Sequence, residues 1–321
     1  MRCIVTGGAG FIGSHLCDLL ISNGHNVTAI DDLSTGQLSN LDDIINHPNF
    51  EFLKGDILKL PELDYIVSRS DMIYHLAAAV GVDLVVRDPV KTILTNVKGT
   101  ERILEAAAKN KTRLLVASTS EVYGKSEEEK FSEEDDLLIG SPKHSRWTYA
   151  CSKLLDEFYC LAYYKKYNHP IIVVRLFNTV GPRQTGKYGM VVPRFIKKAL
   201  RNETLQVYGT GKQSRCFCHV KDTIRAIYGL GESNINGEIY NIGSTWKCSI
   251  EDLAKLIIER TNSSSNIEYV PYDKAYAPGF EDMLHRVPNI DKIQKKLSWN
   301  TSYTLNDIVD DVAAYYNEIE C

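Results

Sequence analysis

The chain has 321 residues, enough for two domains or one large α/β domain, and its 44% apolar content supports a full core. Lys plus Arg total 37 against 41 for Asp plus Glu, a net charge of −4, which argues against the basic stripe of a nucleic-acid binder. No run approaches the roughly 18 apolar residues of a membrane span; the best candidate, Met72 to Val86, is interrupted by His75, Gly81 and Asp83.

In chain order, Arg2–Thr6 predicts a short strand ending in glycines. Ile12, Leu16, Leu19 and Leu20 then fall at i, i+4, i+7 and i+8, a helical face stopped by Asn23-Gly24. Val27–Ile30, Phe50–Leu53 and Met72–Leu76 read as the next strands. Ile93, Val97, Thr100, Ile103, Leu104 and Ala107 stripe a long helix before a strand at Leu114–Ala117. A helix from about Tyr149 to Tyr167 leads to a strand at Ile171–Arg175. This alternation predicts an α/β fold, a doubly wound parallel sheet covered on both faces. The rhythm loosens after Asn178, where helices are expected at Pro193–Arg201, Ile250–Arg260 and Leu305–Tyr316. The acidic stretch Glu127–Asp136 reads as a solvated loop.

The eight cysteines are scattered without a CxxC pair. With no basic, signal-like start, they predict a reduced, cytoplasmic protein with no metal site. Cys216 and Cys218 are spaced to share one strand face and are expected to be packing residues. Trp246 and Trp299 read as structural, and Trp147 as a wall beside Tyr149. His75, His144 and His219 are also expected to have packing roles.

Thr6-Gly7-Gly8-Ala9-Gly10-Phe11-Ile12-Gly13 lies between the first strand and the first helix, the context in which a glycine string binds a dinucleotide. Glycines let the backbone approach a pyrophosphate, and the helix start supplies free N–H groups. Asp31 ends the second strand, where a carboxylate accepts ribose hydroxyls. Asp32 adds a second negative charge, which disfavours a 2′-phosphate and points to NAD. Asp56-Ile57 follows the third strand; it can reach adenine or serve as a loop.

Tyr149 and Lys153 stand at i and i+4 on one helix face, downstream of a strand ending Ser118-Thr119-Ser120. A phenol with an ordinary pKa near about 10 is a poor base at neutral pH. A neighbouring ammonium and an oxidised nicotinamide favour its anion. On this reading Tyr149 takes a sugar hydroxyl proton, and Lys153 also holds the nicotinamide ribose. Cys151 points away from Tyr149 on the helix.

Together TGGAGFIG, DDLSTG, HLAA, STSEVYG, YACSK, RLFNTVGPR and VYGTGKQSR resemble, in order and over essentially the whole chain, the extended short-chain dehydrogenase/reductases. The resemblance is to the branch of nucleotide-sugar epimerases, dehydratases and decarboxylases. It implies a Rossmann domain carrying NAD, at about residues 1–178. A smaller α/β domain at about 179–321 carries a nucleoside diphosphate sugar, with some segments returning to the Rossmann sheet. The resemblance also implies that Leu76, Ala77, Ala78 and Asn96 lie near the cofactor, and that Thr119 works with Tyr149 at the sugar O4. Asn178, Arg215 and Arg286 would contact the diphosphate or sugar, and Val192 and Tyr208 the base.

This branch begins by oxidising C4, and the residues around C5 and C6 decide the next step. Ser120-Glu121 and the Arg146-Trp147-Thr148-Tyr149 run resemble UDP-glucuronate decarboxylases most closely, as do His285-Arg286-Val287-Pro288. Decarboxylation of a β-keto acid needs no base. Ser120 and Arg286 can hold the carboxylate, and Glu121 either repels it when ionised or bonds to it when protonated. A UDP-sugar 4-epimerase, a 4,6-dehydratase and a non-catalytic NAD-sensing regulator are the alternatives. The two long helices, with Phe158, Tyr159, Ala162 and Tyr163, suggest a homodimer.

Overall fold

The computed structural model describes residues 1–81, 88–186, 190–271, 274, 283 and 286–320. His285, Tyr188, Gly189 and Cys321 therefore lie outside the described residues.

Strand β1 (Arg2–Thr6) is followed by helix α1 (Phe11–Ser22), β2 (Asn26–Asp31), β3 (Phe50–Lys54), α2 (Leu63–Ser68) and β4 (Met72–His75). Helix α3 (Pro89–Asn110), β5 (Arg113–Thr119), α4 (Trp147–Tyr167) and β6 (Ile171–Leu176) complete the first part. Asp88 caps α3 by accepting the Lys91 N–H, with Pro89 at its first position. Lys111 ends it in the left-handed region at φ 54°.

The second part holds β7 (Thr179–Val180), α5 (Val191–Leu200), β8 (Leu205–Tyr208), β9 (Ser214–Cys216), β10 (Cys218–His219) and α6 (Val220–Glu232). It ends with β11 (Glu238–Ile242), β12 (Lys247–Ser249), α7 (Ile250–Arg260), β13 (Ile267–Val270), α8 (Asp291–Leu297) and α9 (Leu305–Glu320).

Seven strands form one sheet in the order β11-β6-β5-β4-β1-β2-β3, and every pair in it is parallel. The central strands are apolar on both faces, as helices on both sides require. Strand β6 is buried along its length except at the half-buried Leu176. The order reverses between β1 and β4, which opens a crevice at the carboxyl ends of the strands. Strand β11 is the segment of the second part that rejoins the sheet, after α6 packs on α1.

A separate apolar cluster joins α5, α7 and α9 beneath the parallel pair β8–β13. It includes Phe195, Ile196, Leu253, Ile257, Ile308 and Val312, all buried. Cys216 and Cys218 are both buried, but they do not share a strand: β9 pairs with β12, and β10 with β7. The chain changes partner at Phe217, so the alternation expected from one strand is broken. Trp299 is buried and donates to the Asp222 carbonyl at 3.1 Å. Trp246, expected to be structural, is instead 75% exposed. No helix of the described residues is long and apolar enough to cross a membrane.

Candidate active site

The carboxyl ends of the sheet strands and the start of α5 enclose a cavity of about 580 Å³. The glycine turn forms one end. Gly7 has φ +71°, and a Cβ there would come 2.9 Å from the Ala77 nitrogen. A Cβ at Gly13 would meet the Gly7 carbonyl oxygen at 2.1 Å. The turn is therefore drawn tight against both α1 and the Leu76–Ala77 backbone, as only glycines allow. The Gly10 N-cap offers no side-chain oxygen to the first turn of α1, which leaves a set of N–H donors suited to a pyrophosphate.

Gly7, Gly10, Phe11, Ile12, Gly13, Asp31, Asp32, Asp56, Ile57, Leu76, Ala77 and Ala78 all line this cavity. Asp31 accepts the Ala9 N–H at 3.1 Å and the Leu33 N–H at 2.8 Å. Burial raises its carboxyl pKa, and these two bonds oppose the rise. These residues fit a dinucleotide.

Asn96 does not line the cavity. Its side-chain oxygen accepts the Ala79 N–H at 2.7 Å and its amide donates to the Ser152 hydroxyl at 3.0 Å. It ties the loop after β4 to α4 from behind, because its amide is consumed by these two partners.

At the other end Thr119, Ser120, Glu121 and Tyr149 converge. The Thr119 hydroxyl accepts the Glu121 N–H at 3.2 Å and faces the Tyr149 phenol, whose pKa it lowers. Lys153 departs from expectation. It is buried below the cavity rather than on its wall, and its ammonium donates to Asp156 at 2.7 Å. The Tyr149 phenol is accordingly pushed up, not down. Burial is the main cause, and the Glu121 and Asp156 carboxylates add to it. Reasoning from the i, i+4 spacing of Tyr149 and Lys153 misses the carboxylate that balances the lysine. The helical spacing of Asp156, three residues beyond Lys153, is the signal that points to it.

Glu121 is the best-defined charge in the cavity. Arg286 Nη1 lies 3.3 Å from its Oε1, and Arg146 Nη1 lies 3.6 Å from its Oε2. Burial alone would raise the Glu121 carboxyl. The Arg146, Arg286 and Arg215 guanidinium groups reverse this and hold it below the ordinary carboxylate range. Glu121 is therefore ionised at neutral pH. Arg146, read from the sequence only as part of a motif, is 6% exposed and lines the cavity.

Asn178, Val192, Tyr208 and Arg215 also line the cavity. The Asn178 amide donates to the Cys216 carbonyl at 3.0 Å, which ties the end of β9 to the turn between β6 and β7. Arg215 donates to the Ser214 carbonyl at 2.8 Å. The Tyr208 ring carries the Arg194 guanidinium at 4.3 Å from its centre. His75 is buried between the Thr6 and Thr100 hydroxyls, and burial lowers its pKa to about 3, so it is neutral.

The family described as GDP-mannose 4,6 dehydratase matches residues 4–312. The chain is 40% identical over 320 residues to a UDP-N-acetyl-alpha-D-glucosaminuronate decarboxylase of Bacillus cytotoxicus, covering 99% of this chain and 98% of that one. It is similar to the solved structure of a UDP-glucuronic acid 4-epimerase from Bacillus cereus in complex with UDP-glucuronic acid and NAD. The TM-score is 0.90 at 29% identity, over 99% of this chain and 100% of that one. A dTDP-glucose 4,6-dehydratase from Bacillus anthracis in complex with NAD gives a TM-score of 0.87 at 30% identity, over 100% and 97% of the two chains. A parallel sheet with a glycine turn at its crevice, a Thr-Tyr pair facing it and these matches along the full length establish that the chain belongs to the nucleotide-sugar epimerases, dehydratases and decarboxylases of the extended short-chain dehydrogenase/reductase family.

Proposed function

We propose that this protein is an NAD-dependent decarboxylase of a UDP-linked uronic acid, UDP-glucuronate or its 2-acetamido counterpart. The observation that carries the reading is the ionised Glu121 among Arg146, Arg215 and Arg286. Three guanidinium groups against one carboxylate leave an excess of positive charge at the sugar end, matched to a diphosphate and a C6 carboxylate. The 40% identity to a uronate decarboxylase supports the same choice.

The residues up to about 178 would hold NAD, and the remainder the nucleotide sugar. NAD, when bound, supplies the two-electron oxidation of C4. Tyr149 takes the O4 proton, with the Thr119 hydroxyl fixing the sugar beside it. Arg286 and Ser120 hold the C6 carboxylate. Glu121 opposes it with a like charge, a repulsion relieved when CO₂ leaves. Water returns the proton to C5, since a guanidinium does not give one up. A carboxylate held below its ordinary range is a weak base, which disfavours Glu121 as the C5 base of a dehydratase.

The enzyme is read as a cytoplasmic homodimer. The buried free thiols of Cys3, Cys17 and Cys160 support a reducing compartment. Val90, Ile93 and Leu94 on α3 and Leu155, Phe158 and Tyr167 on α4 are exposed, which supports pairing through these helices. Tyr159 and Tyr163 instead pack inward on the sheet cluster.

Mass spectrometry of the product from UDP-glucuronate and from its 2-acetamido counterpart, each with NAD, tests the reading. Loss of one CO₂ is expected. Unchanged mass with inverted C4 would make the enzyme a 4-epimerase, and loss of water from a neutral hexose substrate a dehydratase.

A further inference from the structure

We propose that Asp156 is a positioning residue of this site: its carboxylate holds the Lys153 ammonium beneath the cavity and, by balancing that charge, fixes the pH range in which Tyr149 works as a base. This rests on the reading of Tyr149 as the base at the sugar O4.

Tyr149, Lys153 and Asp156 occupy i, i+4 and i+7 on α4, one stripe of the helix. Lys153 Nζ lies 2.7 Å from Asp156 Oδ2, with the two side chains only 3% and 1% exposed. Solvent therefore screens this pair very little. The adjacent Glu157 does not compete for the lysine. Its carboxylate receives the Arg175 guanidinium at 2.8 Å and the Ser118 hydroxyl.

The other carboxylate acting on the phenol is itself ion-paired. From the turn after β5, Glu121 is paired with Arg146 and Arg286. On the sheet side His75 and Cys160 sense Lys153, and burial keeps both neutral. From α3 the Thr100 hydroxyl faces Asp156. The phenol thus lies between a carboxylate caged by arginines and a lysine caged by a carboxylate. Burial, Glu121 and Asp156 together hold it protonated. Burial also pushes the Asp156 carboxyl up, and the Lys153 ammonium is the main opposing influence. Such a carboxylate is costly to bury and is retained against that cost by the lysine.

Asp156→Asn removes the charge and keeps an oxygen that accepts the Nζ bond. In the NAD-loaded enzyme the acid limb of the kcat/KM profile for UDP-glucuronate is expected to move down by about one pH unit, which gives about tenfold more activity at a fixed pH below it. Asp156→Glu should restore the wild-type limb. A second readout needs no turnover: the phenolate absorbance of the NAD-bound enzyme, taken as the difference from Tyr149→Phe, should shift in the same direction.

An unmoved phenolate titration in Asp156→Asn overturns the proposal, even where melting temperature changes, since a structural role alone lowers stability without moving the titration. If neither UDP-glucuronate nor its 2-acetamido counterpart is converted, the functional reading fails and the phenolate titration alone decides the role of Asp156. If Asp156→Asn does not fold, a crystal structure of the wild-type NAD complex decides. Lys153 and Asp156 in hydrogen-bond contact support the proposal, and Lys153 turned away from Asp156 overturns it.

Discussion

Arg286 Nη1 lies 3.3 Å from Glu121 Oε1, joining residues 165 positions apart, while Arg146 holds the other carboxylate oxygen. Removing Arg146 takes one charged partner from the buried Glu121 carboxylate and leaves it Arg286 and Arg215. Arg146→Met is expected to lower unfolding free energy by about 1 kcal/mol at neutral pH. The Glu121 carboxyl is held low in the folded state. Its contribution is therefore complete above the pKa of the unfolded carboxyl and is lost as pH falls through the lower folded value. The deficit of the variant should narrow at acid pH. Urea unfolding at several pH values checks this, and equal stabilities at neutral pH would contradict it.

The glycine turn predicts a loss of cofactor affinity. A Cβ at position 13 would lie 2.1 Å from the Gly7 carbonyl oxygen, a backbone atom that moves only with the whole turn. Gly13→Ala should weaken NAD binding by at least about tenfold, roughly 1.4 kcal/mol. Isothermal titration calorimetry measures it, and unchanged affinity would rule out this turn as the pyrophosphate seat.

His169 is 1% exposed, and neither ring nitrogen has a hydrogen-bond partner among the described residues. Burial lowers its pKa to about 4. The unfolded chain takes up this proton first, so the neutral histidine favours folding above its unfolded pKa. That advantage is lost as pH falls toward about 4. His169→Phe, which has nothing to protonate, should gain about 2 kcal/mol on wild type between pH 7.5 and 4.5. Parallel pH dependence in the two proteins would show that the ring is not buried neutral.

Phe158 is 64% exposed on α4, and α3, which packs against α4, exposes Val90 and Leu94. A second copy is expected to cover these side chains. Phe158→Glu should convert a dimer to a monomer in sedimentation equilibrium. A wild-type monomer at micromolar concentration would contradict pairing through these helices.

The parts of the site written in contiguous residues are legible in the sequence. TGGAGFIG is a local device, since its glycines and the helix they open are adjacent along the chain. The long apolar stripes of α1, α3 and α4 likewise reveal their own positions through helical periodicity. Strands β7, β9 and β10 are not legible, because two or three residues carry no period. Helix α6 is legible from its own stripe of Val220, Ile224, Ile227 and Leu230, whereas the return of β11 to the sheet edge depends on pairing with β6. Arg286 can be assigned only through resemblance, and no local rule links Arg146 to Glu121. The Lys153–Asp156 pair sits at helical spacing, but an exposed pair at that spacing is worth little. Its burial, which the sequence does not display, gives it weight.

Tyr149 as the group that deprotonates O4 while C4 is oxidised can be tested with UDP-glucuronate carrying deuterium at C4. Its conversion is followed for wild type and Tyr149→Phe in the presence of NAD. Wild type should decarboxylate the deuterated sugar more slowly than the ordinary one. Tyr149→Phe should lose at least about a hundredfold in rate, with NAD binding intact. Equal rates for the two isotopes, together with a Tyr149→Phe variant that still releases CO₂ at the wild-type rate, would contradict this role.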